Sequence, residues 1–193
     1  LAIVTVTASA QSAFSRPDAR IQLAILLDTS GSMDGLIAQA KTQLWKIVNE
    51  FAATKKNGVA PQLEVALYEY GNNGLSRNSA WIRQVLPLTN DLDGVSEKLF
   101  ALKTNGGTEC CGTVIRRALD DLAWTKGSED LKAIVIAGNE PFTQGAVSYE
   151  ESCKAAISKG IVVNTIFCGG NDEGIKTIWK HGADLADGAY ASI

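Results

Sequence analysis

Apolar positions along the chain follow two alternating patterns. Ile21-Gln22-Leu23-Ala24-Ile25-Leu26-Leu27 is almost continuously apolar, as in a strand buried on both faces. Residues 34–53 then place Leu36, Ile37, Ala40, Leu44, Ile47, Val48 and Phe51 on one helical stripe. Leu63, Val65 and Leu67 alternate with Glu64, Ala66 and Tyr68, which predicts a strand over 63–70. Gly71-Asn72-Asn73-Gly74 turns the chain into a strand over 81–88, assigned to a sheet edge because Pro87 has no N–H to donate. The pattern continues with helices over 91–103 and 111–124, a buried strand over 131–137 and a helix over 146–159 that stops at Gly160. A buried strand over 161–167, a helix over 173–181 and the start of a last strand over 189–193 complete it.

The order β-α-β-β-α-α-β-α-β-α-β, with helices between apolar strands, predicts an α/β doubly wound fold. Its sheet is mostly parallel with one antiparallel edge strand, and helices cover both faces. The length of 193 residues suits one domain. Sites in such sheets lie beyond the C-terminal ends of the strands.

Composition narrows the function classes. Eighteen basic and 21 acidic side chains leave a net charge of −3 with no Lys/Arg cluster, so neither nucleic acid nor an anionic membrane is an expected partner. No stretch approaches the ~20 apolar residues of a membrane span. A single histidine, His181, excludes multi-histidine metal sites, and no neighbouring nucleophile and acid give it a catalytic role. Residues 1–10, LAIVTVTASA, read as the tail of a secretory signal peptide ending in small-x-small Ala8-Ser9-Ala10. That reading leaves a domain over 18–193 and a secreted or periplasmic location. In an oxidising compartment Cys153 and Cys168 become a candidate disulfide. Both are expected at the top of the sheet, and the bond closes a loop of about 15 residues worth ~3 kcal/mol; Cys111 with either partner is an alternative.

The chemistry-bearing segment is Asp28-Thr29-Ser30-Gly31-Ser32, which follows the first buried strand directly. A carboxylate and hydroxyls in a glycine-containing turn gather hard oxygens, the donors that suit Mg²⁺, Mn²⁺ or Ca²⁺. Helix capping accounts for one hydroxyl and leaves the rest unexplained.

This segment resembles the D-x-S-x-S signature of von Willebrand factor A domains, their metal-ion-dependent adhesion site. Asn105-Gly106-Gly107-Thr108 resembles the family's threonine loop, and the element order over about 21–193 agrees with the family's. The resemblance implies that Asp28, Ser30, Ser32 and Thr108 hold a divalent ion, Mg²⁺ or alternatively Mn²⁺ or Ca²⁺. It implies a protein-binding module rather than an enzyme. The family's later aspartate falls at Gly138, which has no ligand atom, and Asn139 or Glu140 stands as its replacement. Asp34 is a candidate for a second cation or a first-turn helix acid, and Glu109 for a supporting residue or the acidic start of helix 111–124. With Asp28 the one assured anion, the ion keeps about one positive charge and an open position. The N-terminus of helix 34–53 adds to that potential. The expected occupant is an Asp or Glu carboxylate of a protein partner. Two other readings follow from the same residues: a metal-free scaffold with a decayed site, and a metal-dependent hydrolase using Asp28 and Glu140.

Overall fold

A computed structural model describes residues 20–55 and 60–193 of the chain. The segment 1–10 read as a signal-peptide remnant, and the first two residues of the expected domain, lie outside the described residues. Six strands form one sheet in the order β3-β2-β1-β4-β5-β6. They are β1 (Arg20–Asp28), β2 (Gln62–Tyr70), β3 (Ile82–Thr89), β4 (Leu131–Gly138), β5 (Val162–Phe167) and β6 (Tyr190–Ser192). All neighbours are parallel except β2 and β3. The expected antiparallel edge is therefore β3, and its ladder is irregular where it passes Pro87, with register shifts between Val65 and Tyr68 on the partner strand.

Period-two alternation splits the core into two layers. Ile21, Leu23, Ile25 and Leu27 of β1 face α1 (Ile37–Ala53) and α2 (Leu92–Ala101). Ala24 and Leu26 face the opposite way, toward α3 (Cys111–Asp121), α4 (Tyr149–Ser158) and α6 (Trp179–Asp184). Strand β1 is covered on both sides, which explains its nearly continuous apolar run. Lys41 of α1 reaches the carbonyls of Phe100 and Leu102 and satisfies the end of α2.

The predicted helices over 91–103, 111–124 and 146–159 are shorter in the structure, and two others differ in ways that shape the site and its surroundings. The first begins at Ile37 rather than at 34, because Gly31–Met33 form a single 3₁₀ turn and Gly35 takes φ +83°. Its N-terminus is thereby set back from the end of β1. The predicted 173–181 helix is two short ones, α5 (Asn171–Lys176) and α6, broken at Ile178 with φ +75°. After the break Trp179 is fully buried and its indole N–H donates to the Glu140 carbonyl at 2.7 Å. That bond fastens the loop after β4 to the body of the domain.

After β1 the chain passes to β2 on one side of it and later to β4 on the other, so a crevice opens where their C-terminal ends meet. Asp28 pairs with Tyr70 and Leu27 with Ala137, which lines up Tyr70, Asp28 and Gly138 as neighbours at that end.

Candidate metal centre

Three loops meet above this row, and glycine lets them touch through backbone. A Cβ on Gly107 would fall 1.7 Å from the Gly71 carbonyl oxygen, and one on Gly31 would fall 3.1 Å from the Gly106 Cα. The Asn73 N–H donates to the Gly106 carbonyl at 2.6 Å, and the Asn105 N–H to the Thr29 carbonyl at 3.0 Å. The loops after β1 and β2 and before α3 are thus locked together. The glycines of Asn105-Gly106-Gly107 serve this close approach; α2 itself has already ended at Ala101, with Leu102 as its extended C-cap.

Within the lock, Asp28 is 1% exposed and its Oδ1 accepts from the Ser30 N–H at 2.8 Å. Its other oxygen, Oδ2, is buried with no hydrogen-bond partner. Burial pushes the carboxyl up to about 7, against the Ser30 contacts that lower it, and the nearby Glu109 and Glu140 carboxylates push the same way as burial. Ser30 Oγ and Ser32 Oγ lie 3.0 Å apart. Ser32 donates to Asn139 Oδ1 at 2.9 Å and Asn139 Nδ2 returns a bond to the Ser32 carbonyl at 3.1 Å, so the loops after β1 and β4 are cross-tied. Ser32 is exposed and Ser30 buried, so the hydroxyl pair runs from the interior to solvent.

The sequence-derived candidates separate in the structure. Asp28, Ser30 and Ser32 lie together, and Asn139 joins them through Ser32. Thr108 is exposed at the rim. Its neighbour Glu109 turns inward instead, 6% exposed, with its carboxylate in hydrogen-bonding reach of the Ser30 side chain. Burial raises the Glu109 carboxyl above its ordinary value, and Glu140 adds to the rise. Glu140 is half-buried beyond Asn139, with Gln144 donating to its carboxylate at 3.3 Å. Asp34 is exposed at the end of the 3₁₀ turn, with its N–H on the Gly31 carbonyl.

The candidate disulfide is corrected by the fold. All four cysteines are free and buried. Cys153 packs among the α3 and α4 side chains, whereas Cys168 packs into the layer of α1 on the other face of the sheet. Each is a buried apolar thiol, and burial raises both to about 12.

Sequence reasoning missed two residues of the site. Tyr70 is fully buried beside Asp28, and its hydroxyl donates to the Ala137 carbonyl at 3.1 Å. A Cβ on Gly138 would lie 2.7 Å from that hydroxyl and 3.0 Å from Asp28 Oδ2. The space that a side chain at 138 needs is taken by Tyr70. The second is Glu69, 3% exposed, whose carboxylate accepts from Thr29 Oγ1 at 3.2 Å and pairs with Arg83 at 2.5 Å. Only the pairing register of β1 with β2 reveals these neighbours.

The donors fit a hard divalent cation. Among the described residues no three His, Cys, Asp or Glu side chains gather closely enough to hold an ion. The serine hydroxyls must therefore supply part of any shell, as they do for Mg²⁺ and Ca²⁺ rather than for soft metals. The unpartnered Asp28 Oδ2 is the atom most in need of such a ligand.

Comparison with known proteins agrees with this fold. No curated protein matches the chain. Among solved structures the chain is similar to the conserved hypothetical protein BatB from Bacteroides thetaiotaomicron, at 17% identity, TM-score 0.68 and 90% coverage of both chains. It is similar to the SpRpn10 VWA domain at 16% identity and TM-score 0.66, covering 90% of this chain and 88% of that one. It is also similar to proximal thread matrix protein 1 of the mussel byssus with a zinc-occupied MIDAS motif, at 13% identity and TM-score 0.65, covering 91% of this chain and 42% of that one. The model of the von Willebrand factor type A domain matches residues 22–180, and on that match the chain belongs to the von Willebrand factor type A domain family.

Proposed function

We propose that this domain is a divalent-cation-dependent protein-binding module. Asp28, Ser30 and Ser32 hold the ion, Thr108 approaches from the rim, and an Asp or Glu carboxylate of a protein partner takes the open position. Mg²⁺ is the proposed ion, with Mn²⁺ and Ca²⁺ suited to the same oxygens. The observation that carries the reading is Asp28 Oδ2, a buried carboxylate oxygen with no partner on the residue that leads into the Ser30 and Ser32 hydroxyls. Leaving such a group uncompensated costs about 1–3 kcal/mol or more, and a cation removes that cost. The mussel protein with zinc in its MIDAS motif supports the same placement by analogy. Secretion or a periplasmic location belongs to the proposal through residues 1–10; among the described residues no helix is long and apolar enough to cross a membrane.

A second reading is a metal-free scaffold, and the reciprocal Ser32–Asn139 pair favours it, because those bonds hold the loops closed without an ion. Calorimetric titration of Mg²⁺, Mn²⁺ and Ca²⁺ into chelator-stripped protein separates the two. Binding by the wild type that disappears in Asp28→Ala is the result expected here. No binding of any of the three ions by the wild type makes the scaffold reading the right one.

A further inference from the structure

Glu109 presents a buried carboxylate to a site that has no cation of its own. Its Cγ lies 3.3 Å from the point where a Cβ on Gly71 would stand, and Asp28 Oδ1 and Ser30 Cβ lie 3.0 and 3.3 Å from that same point. Asp28, Ser30 and Glu109 therefore wall one small space, left open because residue 71 is glycine at φ +79°. Glutamate is rarely so buried without a pair. Among the described residues neither Asp28 nor Glu109 has an ion pair, and the other charged group acting on both is a third acid, Glu140. The other oxygen of the same carboxylate, Asp28 Oδ2, lies toward Gly138 and is buried without a hydrogen-bond partner.

The backbone cannot relieve the crowding. The Gly107–Gly71 contact and the Asn73–Gly106 bond fix the loop just before Glu109, and α3 starts just after it, at Cys111. Only rotation of its own side chain can move the Glu109 carboxylate out toward the solvent that Thr108 already meets.

We infer that Glu109 is an internal carboxylate ligand of the ion, and that a partner carboxylate must displace it. The inference rests on the proposed metal-dependent binding. Asp28 and Glu109 together neutralise a divalent cation, and with Glu140 alongside the filled site no longer attracts an anion. When Glu109 swings out, one positive charge and one open position return, and an incoming carboxylate of the partner restores neutrality. Metal retention and partner capture thus oppose each other through one side chain, and Glu109 sets the threshold for binding.

The test uses Mg²⁺ titrations of the chain by calorimetry, in sodium chloride and in sodium acetate at equal ionic strength, for the wild type and Glu109→Gln. In chloride the variant is expected to bind Mg²⁺ about tenfold to a hundredfold more weakly than the wild type. In acetate the variant is expected to regain much of that loss, whereas the wild-type affinity stays unchanged. Equal Mg²⁺ affinity of variant and wild type overturns the inference, and so does a weakened variant that acetate does not help. A wild type that binds no Mg²⁺, Mn²⁺ or Ca²⁺ is a different failure, that of the metal reading itself. Should Glu109→Gln melt abnormally early, Glu109→Asp, which withdraws the carboxylate by one methylene, replaces it with the same expectations.

Discussion

The ends of β1 and β4 are neighbours in the sheet but are built in opposite ways. At the end of β1, Asp28, Ser30 and Ser32 project into the crevice, and the loop is tied down by backbone contacts to β2 and to the loop before α3. At the end of β4, Gly138 contributes no side chain, and the Tyr70 hydroxyl fills the volume beside it. The buried acid beside Asp28 is Glu109 from the α3 side, and Glu140, half-buried after β4, acts on Asp28 more weakly. The contrast teaches that the charge of such a site is a property of the whole rim. An acid lost from one strand end can reappear on another loop, provided the packing leaves it room.

Removing the acid of β1 is expected to have the largest effect. Asp28→Asn should weaken Mg²⁺ binding by more than about a hundredfold, because the carboxylate that the β1 loop holds through the Ser30 N–H is gone. In chelator the same variant should melt no lower than the wild type at alkaline pH, since it replaces a buried, poorly compensated charge by a neutral isostere. A variant that keeps wild-type affinity for Mg²⁺ would place the ion elsewhere on the rim.

The next effect concerns β4. Gly138→Ala should cost about 1–3 kcal/mol in a denaturant titration, because its Cβ meets the Tyr70 hydroxyl at 2.7 Å. The backbone at Gly138 is not left-handed, so conformational strain adds nothing. Tyr70→Phe alone should cost about 1 kcal/mol through the lost bond to the Ala137 carbonyl. The double variant should be less destabilised than the sum of the two, since removing the hydroxyl clears the place of the new methyl. Strict additivity would mean that Tyr70 is not what keeps position 138 bare.

These two strand ends also differ in how far sequence reveals them. The β1 motif is contiguous: a run over 21–27 that is apolar in every position but Gln22 leads into Asp28, and the two hydroxyls follow within four residues, so local pattern suffices. The bare position 138 is visible as a glycine, but its cause is a tyrosine from β2, and only the cross-strand register brings Tyr70 there. Thr108 and Glu109 are adjacent, and which of them turns inward depends on the contact between Gly107 and Gly71, two loops apart in the chain. The cysteines show the same limit. Cys168 follows Phe167, and a one-residue step along a strand reverses the face, so Cys168 leaves the layer that Phe167 shares with Cys153. The break at Ile178 carries no glycine or proline to mark it; burial of Trp179 against the Glu140 carbonyl accompanies it.

The pH response of the metal-free protein is a smaller effect with a definite sign. Asp28 titrates near 7 in the fold against 3.8 ordinarily, so between those values the native state holds more protons than the unfolded one. Stability contributed by the protonated group is therefore full below about pH 4 and is lost as pH rises through about 7, with a slope of at most ~1.4 kcal/mol per pH unit for one proton. The raised Glu109 carboxyl acts in the same direction. Mg²⁺ binds only the ionised form, so the gap between melting curves with Mg²⁺ and with chelator should widen over the same range. A metal-free stability that rises steadily from pH 4 to pH 7, with other groups held unchanged by comparison with Asp28→Asn, would contradict the burial of this charge.

The smallest expected effect probes the support beneath the β1 motif. Thr29 is fully buried, and its hydroxyl leans on Glu69, which Arg83 pairs from the edge strand. Arg83 is 55% exposed, so its half of the pair is screened by water and worth little by itself. Its loss, however, leaves the Glu69 carboxylate, 3% exposed, with Thr29 as its remaining partner. Arg83→Ala should therefore lower stability by about 1 kcal/mol, or about 2–4 °C in melting temperature. Mg²⁺ affinity should stay within about twofold of the wild type, because the β1 loop keeps the Thr29 N–H on the Tyr70 carbonyl at 2.9 Å and the Asn105 N–H on the Thr29 carbonyl at 3.0 Å. A tenfold loss of Mg²⁺ affinity in Arg83→Ala would overturn that division, since it would mean that the antiparallel edge strand positions Ser30 and Ser32 through Thr29, and that the β1 end is held from outside the crevice as firmly as β4 is held by Tyr70.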